Sequence, residues 1–269
     1  MSSIWKDVLG SILSFACGPV EPHDPKIMHI GCIDAREKAG GHFNYADNAA
    51  RAPKISALIP PYGSAPINIR AEFSFSALTD ISRIKVVGHS FCGGAQIAIQ
   101  NPDISCIRDE NISNVVQHIE TSGIDLPFLQ RNFLSACQGN VDLAADLLSR
   151  HLALTSIANI SQYPSVAQKV NDDSVILVPL YHVMKEGRGE PGHLEIFDAV
   201  DHRWKEICPN LISDFSKENC NVARSLEYTK IDCVNRNGKP LPVTLPIHIA
   251  MYVVNHRDIY QPNAYRVFG

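Results

Sequence analysis

Apolar positions in this chain are gathered into short dense runs separated by longer stretches of helical spacing. Lys26-Ile-Met-His-Ile-Gly-Cys32 and Arg83-Ile-Lys-Val-Val-Gly88 are brief, nearly continuous apolar runs closed by a glycine, the pattern of buried strands. Ser174 to Val183 is a third such run, and His193-Leu-Glu-Ile-Phe197 reads as its hairpin partner. Ile55 to Ile59 predicts a short strand before the Pro60-Pro61 turn, whereas Ala35 to Ala50 predicts a loop. Between the first two strands, Asn68 as a cap and Glu72 in the first turns predict a helix over Ile69 to Asp80. Further helices are expected at Ala95 to Gln100, Val115 to Ile119, Leu126 to Cys137 and Val141 to Ile160. A polar, helix-like stretch runs from Asp198 to Lys217, and strands are predicted at Ser225 to Val234 and Pro246 to Val254, joined through Asn235-Arg-Asn-Gly238.

Strand, helix, strand, helix in that order implies parallel strands with crossover helices, hence an α/β fold with a mostly parallel central sheet flanked by helices and a C-terminal strand-containing extension. Ligands of such folds bind beyond the carboxyl ends of the strands. Boundaries are expected at 1–24 for an N-terminal helical arm, built on Met1 to Cys17, at 25–198 for the main domain and at 199–269 for the extension.

Length and composition narrow the class. The 269 residues can bury a real core, and 45% hydrophobic with 19% charged residues excludes disorder as the main state. The net charge of −4 is spread without blocks, so no electrostatic footprint for nucleic acid is present. The longest apolar run is far short of the ~20 residues that span a bilayer, so no membrane partner is expected. Eight cysteines without a convincing secretory signal read as reduced thiols and a cytoplasmic protein.

Two segments carry chemistry: Cys32-Ile-Asp34-Ala-Arg36 and His89-Ser-Phe-Cys92-Gly-Gly94. Residues 32, 34 and 36 of an extended chain project to one side, so a thiolate, a carboxylate and a guanidinium can reach a common point. His89 and Cys92 follow a strand that ends as a Gly-Gly pair opens a helix, and can converge from one turn. Two soft sulfurs, an imidazole nitrogen and an optional oxygen make a tetrahedral set suited to Zn²⁺. The remaining cysteines, 17, 106, 137, 208, 220 and 233, have no histidine at ligand spacing and read as structural.

In these residues the sequence resembles the β-class carbonic anhydrases, which carry Cys-x-Asp-x-Arg and a later His-x-x-Cys followed by glycines, each just after a parallel strand. The resemblance runs over roughly 25–198 and takes in Glu72-Phe73, Ser156-Ile-Ala-Asn-Ile-Ser-Gln-Tyr163-Pro164 and the His193-Leu-Glu hairpin. It implies zinc held by Cys32, His89 and Cys92, with water or hydroxide in the fourth place and Asp34 occupying that place in a closed state. It further implies reversible hydration of carbon dioxide to bicarbonate and a proton through zinc-bound hydroxide, with Asp34 orienting the nucleophile and Arg36 drawing Asp34 off the metal. A hydrolase for carbonyl sulfide or carbon disulfide on the same scaffold, and a catalytically silent zinc-stabilised binding protein, are the other readings. His29, His42 and His193 are candidates for a proton shuttle. The resemblance also implies a homodimer or a dimer-based oligomer, to which the N-terminal arm could contribute. The segment from about Pro102 to Leu148 and the tail beyond 200 have no counterpart in the compact family pattern.

Overall fold

A computed structural model describes residues 26–33, 49–51, 54–101, 103–184, 192–207, 222–235, 237 and 239–260. The N-terminal arm, Asp34, Arg36, His42, Cys17, Cys208, Cys220 and the 208–217 portion of the predicted polar helix lie outside the described residues. Strands β1 (Ile27–Gly31), β2 (Ala49–Arg51), β3 (Arg83–His89), β4 (Ile176–Val183), β5 (His193–Asp198) and β6 (Arg203–Ile207) form one sheet in the order β2-β1-β3-β4-β5-β6. The first four are parallel neighbours, and β5 and β6 return antiparallel as a meander. Alternation along the strands sorts side chains to two faces. Met28, Ile30, Ile84 and Val86 join the main core, while Val87, Val178, Leu180, Leu194 and Ile196 form a smaller cluster.

The helices are α1 (Ile67–Leu78), α2 (Gly93–Gln100), α3 (Glu110–Glu120), α4 (Leu126–Ala136), α5 (Val141–Ile160) and α6 (Pro164–Asn171). Three of them start at a side-chain cap written in the sequence. Asp109 accepts from Asn111 and Ile112 N–H, Asp125 from Phe128 N–H, and Asn140 from Asp142 and Leu143 N–H. Each such cap stabilises its helix by about 1 kcal/mol. A separate antiparallel hairpin, β7 (Tyr228–Val234) and β8 (Pro240–Pro246), is followed by α7 (Ile247–Asn255) and the single turn α8 (Arg257–Tyr260).

Helix α5 is the centre of the molecule. It packs on β3 and β4 along one side, on α2 and α4 along others, and α7 closes over it, so almost every residue from Ala144 to Ile160 is buried. Polar side chains on the α7 side are therefore enclosed as well. The Arg150 guanidinium lies between the rings of Tyr181 and Tyr252, with Cζ 3.8 Å and 4.0 Å from their centroids, and it pairs with Asp146 and Glu195. Tyr181 and Tyr260 hydroxyls donate to the two oxygens of Asp146 at 2.6 and 2.8 Å. Beside this group His151 and His248 stack, with Nδ1 of one 3.2 Å from Nε2 of the other. Among the described residues no helix is long and apolar enough to cross a membrane.

Five local expectations change. Ala49–Arg51, which begins in the last two residues of the expected loop, forms β2 by pairing with β1. The expected strand at Ile55 to Ile59 is a 3-10 turn over Ile55–Ala57, because Ser56 and Ala57 take left-handed backbone at φ 54°. Helix α1 begins at Ile67 with Pro66 at its cap, and Pro66 O accepts from Arg70 N–H. Arg203–Ile207, expected within a helix-like stretch, is a strand, at the edge of the sheet among the described residues, with Trp204 buried and Arg203, Lys205 and Glu206 exposed. Ile247–Asn255, expected as a strand, is helical. Its apolar residues are buried on several sides, and a run that is apolar all round has no period with which to distinguish the two. The strand that pairs with β7 is instead Pro240–Pro246.

Candidate metal centre

Both motif segments leave the carboxyl ends of adjacent parallel strands. β1 and β3 are neighbours with Gly31 level with Val87, and the chain crosses from β2 on one side of β1 to β3 on the other. That is the switch point at which open α/β sheets form a crevice. Cys32 directly follows β1, where Lys54 N–H donates to Gly31 O and Ile33 N–H donates to Lys54 O, each at 2.9 Å. His89 is the last residue of β3, and Cys92 is the cap of α2.

The ligand atoms of Cys32, His89 and Cys92 all lie within 4.8 Å of one another. The two sulfurs are 3.8 Å apart. Tetrahedral zinc with Zn–S bonds of about 2.3 Å requires a sulfur–sulfur separation of about 3.8 Å, so the pair fits that metal. His89 Nδ1 donates to Ser90 O at 2.8 Å, which puts the lone pair on Nε2, the tautomer a ligand needs. Ser149 Oγ on α5 donates to His89 O at 2.9 Å and fixes the end of the strand. Gly88 makes room for this contact, since a Cβ there would lie 3.2 Å from Ser149 O and 3.0 Å from the Tyr181 ring.

The thiol of Cys92 is held well below its ordinary pKa. Hydrogen bonding with Cys32 contributes most, His89 and Ser56 add to it, and burial opposes them. Its place at the start of α2 favours the thiolate in the same sense. Phe91, between His89 and Cys92, is half-buried and has φ 57°, a left-handed conformation that lets the turn bring those two residues together.

Of the other predicted site residues, Asp34 and Arg36 lie outside the described residues. The shuttle candidate His29 is buried within β1, and His193 at the start of β5 places Nε2 3.2 Å from Glu195 Oε1; neither belongs to the ligand group. The structure adds Ser56, whose Oγ is 3.4 Å from Cys92 Sγ. It also assigns a purpose to Gly94, where a Cβ would stand 2.4 Å from that same oxygen. The glycine is visible in the sequence, but its neighbour is not.

The carbonic anhydrase family model matches residues 27–189. The chain belongs to the β-carbonic anhydrase family. Over 81 residues it is 35% identical to β carbonic anhydrase 5, chloroplastic, of Arabidopsis thaliana, a match covering 29% of this chain and 27% of that protein. Among solved structures, the β-carbonic anhydrase CcaA superposes with a TM-score of 0.53 at 19% identity, over 76% of this chain and 84% of that one. The Coccomyxa β-carbonic anhydrase in complex with acetazolamide gives 0.50 at 15% identity, over 67% and 78%. Those two likenesses show the fold. The family match also ends near the close of β4, so β5 to β8 and the last helices are supplied outside it.

Proposed function

We propose that the chain catalyses the reversible hydration of carbon dioxide to bicarbonate and a proton, with zinc held by Cys32, His89 and Cys92. The observation that carries this reading is the convergence of those three ligand atoms, at zinc spacing, beyond the carboxyl ends of adjacent strands in a chain of this family. When bound, zinc acts as a Lewis acid that makes hydroxide available near neutral pH. The chain's own residues hold, orient and gate. His89, locked as its Nδ1–H tautomer, presents Nε2. Asp34 would serve as a further ligand in a closed state, and a bidentate pair with Arg36 would free its carboxylate to accept a hydrogen bond and orient the nucleophile.

Self-association with a second copy belongs to the same reading. Ile67 and Phe75 stand exposed on one side of α1 with Ala71 between them, an apolar stripe that a partner would cover. The cytoplasm is the compartment that suits the thiol pair, since a reducing environment keeps both sulfurs available to metal.

The test is stopped-flow CO2 hydration on protein of known zinc content, beside Cys92→Ser. Activity in the parent that disappears together with bound zinc in the variant supports the proposal. A parent that carries one zinc and hydrates no CO2 from neutral to alkaline pH refutes it.

A further inference from the structure

Ser56 sits in a conformation that its residue type does not favour. Its φ and ψ are 54° and 26°, Ala57 follows with φ 54°, and the side chain is only 1% exposed. A left-handed conformation is disfavoured for an L-residue. Such strain persists only where the surroundings over-determine it. Here α5 and the residues after it supply the constraint. Ser156 Oγ donates to Ala57 O at 2.9 Å and accepts from Ile59 N–H at 3.0 Å, Asn159 Nδ2 donates to Ile59 O at 2.8 Å, and Tyr163 Oη donates to Pro60 O at 2.9 Å.

The outcome of that stitching is one contact. The Ser56 hydroxyl lies 3.4 Å from Cys92 Sγ, and no other hydrogen bond of that hydroxyl is present among the described residues. Gly94 leaves open the space a Cβ would take from the hydroxyl. A strained turn and a missing side chain thus both serve to place one O–H on one sulfur.

We propose that Ser56 is a positioning residue of the metal centre: its hydroxyl donates to the Cys92 thiolate and sets the donor strength of that ligand. The inference rests on the zinc reading above. A thiolate that accepts a hydrogen bond gives less electron density to its metal. Two anionic sulfurs would otherwise quench much of the Lewis acidity of a dication, and a donor aimed at one of them restores part of it. Ser56 therefore lowers the pH at which the centre works.

The experiment substitutes Co(II) into the parent, Ser56→Ala and Ser56→Gly and records the near-ultraviolet thiolate-to-cobalt charge-transfer band, with metal affinity and melting temperature alongside. The expected result is a shift of the band to longer wavelength, equal in both variants, with metal affinity about tenfold weaker and the acid limb of the CO2 hydration profile displaced to higher pH. Glycine relieves the left-handed strain and alanine does not, so a purely structural role would separate the two variants in melting temperature and leave the band in place. An unmoved band in two folded, cobalt-loaded variants overturns the proposal. A parent with a thiolate band but no CO2 hydration sinks the catalytic reading alone, and the band still decides the role of Ser56. A parent with no thiolate band sinks both.

Discussion

Replacement of Arg150 by Met keeps the length of the side chain and removes its charge. The guanidinium is 1% exposed, with Nε 3.3 Å from Asp146 Oδ2, Nη1 bonded to Glu195 Oε2, and aromatic rings of Tyr181 and Tyr252 on its faces. Its loss leaves two largely enclosed carboxylates without their shared cation, and stripping one partner from a buried charge pair costs about 3–5 kcal/mol. The two ring contacts are worth up to ~2 kcal/mol when desolvated. A thioether against the same rings returns about 0.3–1.5 kcal/mol. The net expectation is a destabilisation of about 4 kcal/mol, which is a large part of the ~5–15 kcal/mol that separates folded from unfolded chains. At roughly 2–4 °C per kcal/mol for a chain of this size, the melting temperature falls by about 8–16 °C. Urea unfolding and a thermal melt at neutral pH provide the measurement, and Arg150→Met combined with Glu195→Gln should recover part of the loss by removing one stranded charge. A single variant that loses less than ~1 kcal/mol would show that the desolvation of Arg150 cancels its partners, and the reasoning would fail.

Three further outcomes are expected. Gly94→Ala should weaken metal binding, although alanine is favoured over glycine in a helix by about 1 kcal/mol, because the new Cβ displaces Ser56 Oγ; in a Ser56→Gly background the same change should cost little, and equal losses in both backgrounds would refute the clash. Asn159→Ala leaves Ile59 O without its side-chain donor and should cost about 1–3 kcal/mol with a parallel loss of metal affinity, read by urea unfolding and metal titration. Burial pushes His151 down to about 4 and His248 well below its ordinary value, so both stay neutral in the fold while the unfolded chain protonates near 6.5. The unfolded chain then binds more protons between those limits, so stability is full above about pH 6.5 and falls by up to ~1.4 kcal/mol per pH unit for each histidine as pH drops toward 4. Urea midpoints across that range should flatten in His151→Phe, and an unchanged slope in that variant would refute the assignment.

Much of the scaffold was legible because its elements are locally consistent. β1, β3 and β4 are continuous apolar runs between breakers, and α3, α4 and α5 each follow an Asp or Asn that caps them. The Cys32, His89 and Cys92 group was legible because zinc chemistry demands residue types and spacings that survive in a string of letters. What escaped depends on neighbours distant in the chain. Ser56 acquires its meaning from Gly94 on one side and from Ser156, Asn159 and Tyr163 on the other, and no local pattern announces a left-handed serine. Helix α7 was hidden for a different reason. Ile247 to Val254 is rich in β-branched residues, and only enclosure by α5 and the β7-β8 hairpin makes it helical. Within the Ser156 to Tyr163 segment the family likeness marks positions, and the structure gives their physical cause, which is to hold the 57–60 backbone.

Strand β6 bears on how the protein behaves when crowded. Among the described residues it forms one border of the sheet, and a border strand is where another chain could pair through backbone amide and carbonyl groups. Here the exposed side chains are Arg203, Lys205 and Glu206, and the ammonium of Lys205 is drawn to Asp198 and Asp201. An incoming strand would have to displace that hydrated charge to dock, so the charges on this margin work against fibril-like stacking at high concentration.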